Sequence, residues 1–111
     1  MKLINPTDDE LNAAFAVAVA GYVQREGGWE IPPMRAIWTE PLDFTRSMNA
    51  VLPWLERTDW YAENLSHGRF GTVLVEINQP EKAITAEASS LPRACVIALL
   101  RANGVEVTFT T

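Results

Sequence analysis

The segment from Ser89 to Gly104 constrains the fold most, because it predicts a helix that is apolar on nearly every side. Ser89 or Ser90 can cap its start, and Pro92 falls in the first turn, where proline is tolerated. Asn103-Gly104 ends it with the usual left-handed cap. Its apolar body is formed by Ala94, Cys95, Ile97, Ala98, Leu99 and Leu100. A helix of this kind is buried or sandwiched between other layers.

Alternating runs on both sides of this helix predict strands. Residues 69–78 and 83–88 alternate apolar with polar side chains around a turn at residues 78–81, which is typical of a β-hairpin. Residues 59–65 could form another short strand. Residues 105–111 alternate as well, and they could be a terminal strand, an edge pairing or a tail that pairs with another chain. We expect self-association through this last segment.

The first helix is marked by a capping box. Thr7 is followed three residues later by Glu10, and the first turn is acidic, which suits the helix dipole. Apolar residues then recur at helical spacing. They are Leu11, Ala14, Phe15, Ala18, Val19 and Tyr22. We therefore expect this helix to end near residues 24–26, ahead of Gly27-Gly28.

The next stretch is rich in proline, and a second helix follows it. Residues 27–43 contain three prolines, which exclude a regular helix there, so we expect an ordered loop with a short strand near Ala36–Thr39. A helix from about Thr45 to Arg57 is predicted, capped by Asp43, Thr45 or Ser47. Pro53 lies inside it and predicts a kink or a restart.

Composition excludes several classes of function. The 111 residues fit one domain spanning 1–111, and 48% of them are hydrophobic. The net charge of −5 argues against general nucleic-acid binding. One cysteine and one histidine exclude an internal disulfide and leave too few ligands for a metal cluster without several carboxylates. We expect no cofactor, no metal, no signal peptide and no membrane span, and hence a cytoplasmic protein.

Three stretches resemble the phage ABA sandwich domain family. They are Pro6–Asn12, Pro41–Leu55 and, most specifically, Ala86–Leu100, in which a strand of small residues leads through a serine cap into an alanine-rich helix. The resemblance covers roughly residues 7–103. It implies an α+β fold, an α-β-α sandwich in which helices pack on both faces of a small antiparallel sheet. It also implies a bacteriophage or prophage origin, and it carries no general activity or catalytic residues.

Side chains with catalytic potential do not form a set in the sequence. His67 precedes a glycine in a predicted turn, where only Glu63 is near, and a general base needs a partner within reach. Cys95 lies on the apolar helix beside Arg93, and an inert buried thiol is the simpler reading. We therefore predict no catalytic residues and a protein that is not an enzyme.

Tryptophans and arginines do cluster, and they suggest binding. Aromatic and arginine side chains are the commonest anchors of protein interfaces and can also stack a base. The alternative is that the tryptophans cover core edges. The predicted binding residues are Trp29, Arg35, Trp38, Arg46, Trp60 and Tyr61.

The leading hypothesis is a phage-encoded, non-enzymatic binding protein in the host cytoplasm. Its partner would be a host protein, as in counter-defence, or a small nucleotide held between subunits. The alternatives are a small hydrolase acting on a nucleotide and a virion or assembly accessory protein.

Overall fold

Helices and strands account for most of the described chain. The computed structural model describes residues 2–25, 28–31, 36–38, 43–65 and 72–110. In chain order the elements are β1 (Lys2–Ile4), α1 (Asp8–Ala18), β2 (Val23–Arg25), β3 (Gly28–Ile31), β4 (Ala36–Trp38), α2 (Met48–Leu55), β5 (Asp59–Leu65), β6 (Thr72–Asn78), β7 (Ala83–Ala88), α3 (Leu91–Ala102) and β8 (Glu106–Thr108).

The main sheet is antiparallel, with strand order β5-β6-β7, and α3 packs against it. The predicted hairpin is confirmed: Val75 lies opposite Ala86 and Ile77 opposite Ile84. The prediction of a sandwiched α3 is confirmed too, because every residue from Ala94 to Leu100 is buried. These residues fill the space between the sheet on one side and α1 and α2 on the other.

The α+β class is confirmed, with one difference in how the layers are ordered. We expected helices on both faces of the sheet. In the described part of the chain, α3 covers one face, and α1 and α2 pack behind α3. The opposite face carries only exposed and half-buried side chains there. The reason is that α3 is apolar all round, so it buries the sheet with one side and two helices with the other.

The first helix is shorter than predicted. It has the expected capping box but ends at Ala18 instead of near residues 24–26. The amides of Val19 and Ala20 both donate to the carbonyl of Phe15, and Gly21 follows with φ of 74°, a conformation that favours glycine. Tyr22 is buried, as its spacing predicted, although it lies beyond the end of the helix.

The second helix is also shorter than predicted. It begins at Met48, one residue after the Ser47 cap, and contains Pro53. Proline leaves the carbonyl four residues earlier without its helical donor, and here that residue is Asn49. Both Asn49 and Pro53 are exposed, so water can satisfy the carbonyl and the helix continues to Leu55.

The C-terminal strand finds its partner within the chain. β8 pairs in parallel with β1, with Leu3 opposite Val107, and β1 was not predicted. Arg101 secures this strand from α3: its Nε and Nη2 donate to the carbonyl of Val107 at 3.2 and 2.8 Å, and its Nη1 donates to the carbonyl of Thr85 on β7 at 2.7 Å. β8 is thus paired with β1, and self-association through residues 105–111 stays a prediction.

Described strands border the prolines of residues 27–43, and these prolines lie outside the described residues. The short strand predicted near Ala36–Thr39 is confirmed as β4. It joins β2 and β3, which were not predicted, in a second antiparallel sheet of order β2-β3-β4. These three strands are together called the arm. Among the described elements, their extensive contacts are between β2 and β3 and between β3 and β4.

Candidate binding surfaces

The two ends of the arm are held together by aromatic side chains. Tyr22 directly precedes β2, and Phe44 follows β4 after an interval of five residues. Their ring centroids lie 6.1 Å apart, and the ring of Phe44 lies 4.4 Å from that of Phe15 on α1. All three rings are buried. The core therefore fixes the position at which the arm leaves the body of the protein and returns to it.

A polar clamp reinforces this base. Asn12 and Thr45 are the polar residues that are buried in the described part of the chain. The Nδ2 of Asn12 donates to Asp43 Oδ1, and the Oδ1 of Asn12 accepts the amide of Thr45, both at 3.0 Å. The hydroxyl of Thr45 donates to the same Asp43 oxygen at 3.0 Å. Buried polar groups with all partners in place hold one geometry, because any other leaves them unsatisfied.

Three of the predicted binding residues lie on the arm or at its base. Trp29 on β3 stands opposite Trp38 on β4 in the register of the sheet. Arg46 is at the base, where its side chain is 76% exposed and its Nε lies 3.7 Å from Asp43 Oδ2. Arg35 lies outside the described residues, as does His67.

The remaining two, Trp60 and Tyr61, lie on opposite faces of the main sheet, because neighbouring strand residues alternate in direction. Trp60 is half-buried and packs against the core, in agreement with the core-edge alternative. Tyr61 is 50% exposed on the face away from α3, and its hydroxyl donates to Glu63 at 3.3 Å. The structure therefore divides the predicted cluster between at least two surfaces.

The face around Tyr61, here called the outer face, is acidic. The strand register sets Tyr61 beside Glu76 and Thr85, and it sets Glu63 beside Leu74 and Glu87. The negative charge of Glu63 is the main cause that raises the pKa of Tyr61, followed by slight burial, the hydrogen bond that Tyr61 donates to Glu63, and the charge of Glu76.

A cleft at the ends of α2 and α3 was not foreseen in the sequence. Its volume is about 330 Å³, and a neighbouring cleft of about 190 Å³ shares Arg57, Thr58, Leu99 and Asn103 with it. The guanidinium of Arg57 lies over the ring of Trp54 at 4.8 Å. Asp59 lines the larger cleft as well. The i,i+3 spacing of Trp54 and Arg57 near a helix end was the only sequence signal for this stacked pair.

The single thiol is placed where it is a poor nucleophile. Cys95 is fully buried, and burial raises the pKa of its thiol to about 12, so thiolate is scarce near neutral pH. Among residues 2–25, 28–31, 36–38, 43–65 and 72–110, no three His, Cys, Asp or Glu side chains group as metal ligands. Within the same ranges, none of the helices combines the length and the apolarity that crossing a bilayer requires.

Comparison with known proteins gives a structural likeness. Neither a protein-family model nor a curated protein matches the sequence. A crystal structure of a phage protein from Bacillus cereus is similar over 93% of each chain, with a TM-score of 0.71 and 14% sequence identity. At that identity the likeness speaks for the fold alone. The chain therefore has the α+β fold of a phage protein.

Proposed function

We propose that this is a phage-encoded binding protein of the phage ABA sandwich family, without enzymatic activity, which acts in the host cytoplasm by binding a host defence protein. The observation that carries the proposal is the arm. Three strands extend from a base fixed by Tyr22, Phe44 and the Asn12 clamp. A segment held at its base in one geometry loses little conformational entropy on binding, which favours affinity.

The residues of the arm suit a protein interface. Trp29 and Trp38 stand at opposite register positions on adjacent strands, and Arg46 offers an exposed guanidinium at the base. Arg35 lies between β3 and β4 in the sequence. Tryptophan and arginine are over-represented among the residues that dominate binding energy. We propose these four residues as the contact set, with Trp60 assigned to packing.

A small nucleotide is the second candidate, favoured by the Trp54–Arg57 pair beside the cleft. A guanidinium stacked on an aromatic ring keeps its N–H edges available for a phosphate. It ranks second because Asp59 lines the same cleft and opposes an anion.

The experiment is a plaque assay on bacterial strains that each carry one defined defence system. Expression of the protein should restore phage plaques in at least one strain. Trp29→Ala and Trp38→Ala should abolish the restoration, since each removes an interface anchor. Val23→Ala, an exposed position on the same arm, is the matched control and should leave it intact. Circular dichroism melts should be the same for all variants.

Three results would contradict the proposal. One is restoration in no strain. Another is unchanged plaque restoration by both tryptophan variants. If Arg57→Ala instead abolished both plaque restoration and calorimetric binding of a cyclic nucleotide, nucleotide binding would replace protein binding as the proposed function. The third is many copies of the chain in purified virions, or turnover of a nucleotide, which would favour the accessory protein or the hydrolase.

A further inference from the structure

The two edges of the main sheet differ in how they are closed. β7 is partly closed by Arg101, whose Nη1 donates to the carbonyl of Thr85. At the other edge, the seven residues of β5 pair along their whole length with β6. Among the described residues, the backbone groups of β5 bond only to β6. Natural edges are often protected by charged side chains, proline or a bulge; β5 has no proline or bulge, and its charged residues are the carboxylates Asp59 and Glu63.

We propose that β5 is a self-association edge, at which two copies of this chain pair β5 with β5 antiparallel about Ala62. The two three-stranded sheets then form one sheet of six strands. Ala62 lies opposite Ala62 of the partner subunit, and Tyr61 lies opposite the partner's Glu63. This inference does not depend on the proposed function.

The charges of β5 select this register. Registers that keep the two faces aligned differ by steps of two residues. Centring on Tyr61 sets Asp59 opposite the partner's Glu63, and centring on Glu63 sets two copies of that carboxylate against each other. Like charges directly opposite are destabilising. Centring on Ala62 pairs all seven residues and sets each carboxylate opposite an uncharged residue: Asp59 opposite the partner's Leu65 and Glu63 opposite the partner's Tyr61.

The side chains at the edge fit the pairing. Tyr61 already donates a hydrogen bond to Glu63 of its own strand at 3.3 Å, so it can donate equally to the partner's Glu63 across the new strand pair. On the face toward α3, Ala62 is small and half-buried, and it leaves room at the two-fold axis. Half-buried Trp60 lies opposite the partner's Asn64 and gains cover there.

Analytical ultracentrifugation tests the proposal. The wild-type chain should sediment as a dimer at micromolar concentrations. Tyr61→Glu sets two carboxylates opposite each other at both ends of the pairing and should weaken dimerisation roughly tenfold or more. Thr85→Glu is the matched control, since it adds the same charge to the same outer face but on β7. It should dimerise like the wild type.

Disulfide trapping tests the register itself. Residues directly opposite in an antiparallel pair have Cα atoms roughly 4.5–5.5 Å apart, which suits a disulfide. Ala62→Cys should therefore form a covalent dimer under mild oxidation, and Ala83→Cys, exposed on β7, should not; native Cys95 is buried and does not interfere. A monomeric wild type, equal weakening by Tyr61→Glu and Thr85→Glu, or equal cross-linking of the two cysteine variants would each overturn the proposal.

Discussion

The two faces of the main sheet are built from the same strands and differ in almost everything else. Toward α3, Val75, Ile77 and Ala86 are at most 2% exposed. Away from α3, Tyr61 is half exposed, and Glu63 and Glu87 are exposed. Because strand residues alternate in direction, one backbone supplies both a core and a charged surface. Substitutions at neighbouring positions of one strand should therefore change stability and surface chemistry separately.

The largest effect should come from truncating the buried face of β6. Ile77→Ala removes a side chain that is 1% exposed and leaves a cavity beneath α3, so we expect a loss of about 2–5 kcal/mol in the free energy of unfolding. Leu74→Ala is the matched control, because Leu74 is of similar size on the same strand but half-buried on the outer face. It should cost about 1 kcal/mol or less.

Urea denaturation followed by tryptophan fluorescence measures both variants. Equal losses of unfolding free energy in the two variants would mean that the outer face is covered as completely as the inner one. A small loss for both would mean that the cavity under α3 collapses, so that the core is less tightly packed than the burial of Ile77 indicates.

A smaller loss of stability should follow from removing Arg101, whose guanidinium bonds the backbone of β7 and β8. Arg101 bonds the carbonyls of Thr85 and Val107 from α3, and burial lowers the pKa of its guanidinium without making it neutral at any ordinary pH. Arg101→Ala leaves both carbonyls without these donors and should cost about 1–3 kcal/mol. Arg101→Lys has no planar fork to reach both, so it should rescue only part of the loss.

Amide hydrogen exchange measures which strands lose protection when Arg101 is removed. The amides of β8 should exchange faster in Arg101→Ala, while those in the middle of β6 should change little. Uniform acceleration across the whole sheet would show that Arg101 supports global stability and has no particular role in holding β8.

The sequence predicted those elements whose pattern is local. Alternation over six or more residues gave β6 and β7, and the serine cap with Asn103-Gly104 gave α3 its limits. β1, β2 and β3 are only three or four residues long, too short for alternation to be distinguished from chance. In α1, apolar spacing ran on through Tyr22, and Gly21 was the missed signal that the helix had already ended.

The candidate surfaces were harder to predict for a different reason. Residue type pointed to Trp60 and Tyr61 together, yet adjacent strand residues face opposite ways, so only Tyr61 is well exposed. The contacts of the Asn12 clamp join distant parts of the chain, such as Asn12 and Thr45, and Arg101 joins α3 to the carbonyls of two different strands. Nothing local in a sequence marks such pairs, so they are visible only in the fold.

The smallest effect concerns the charge of the outer face and is read from Tyr61 itself. Ionised Glu63 and Glu76 repel a phenolate, so they hold the pKa of Tyr61 above its usual value of 10.0, with Glu63 the larger cause. Glu63→Gln removes that charge and should lower the pKa of Tyr61 toward 10.0. The ultraviolet absorbance of tyrosinate measures it, and Tyr61→Phe separates its signal from that of Tyr22, the second tyrosine.

Two further carboxylate and tyrosine measurements serve as controls for this titration. Glu76→Gln should shift the pKa of Tyr61 in the same direction but less, because Glu76 contributes less than Glu63. Burial and not charge raises the pKa of Tyr22, so neither variant should move that residue's titration. If Glu63→Gln left the pKa of Tyr61 unchanged, the Tyr61–Glu63 hydrogen bond would not persist in solution. The self-pairing proposed for β5 would then lose one of the contacts that favour its register.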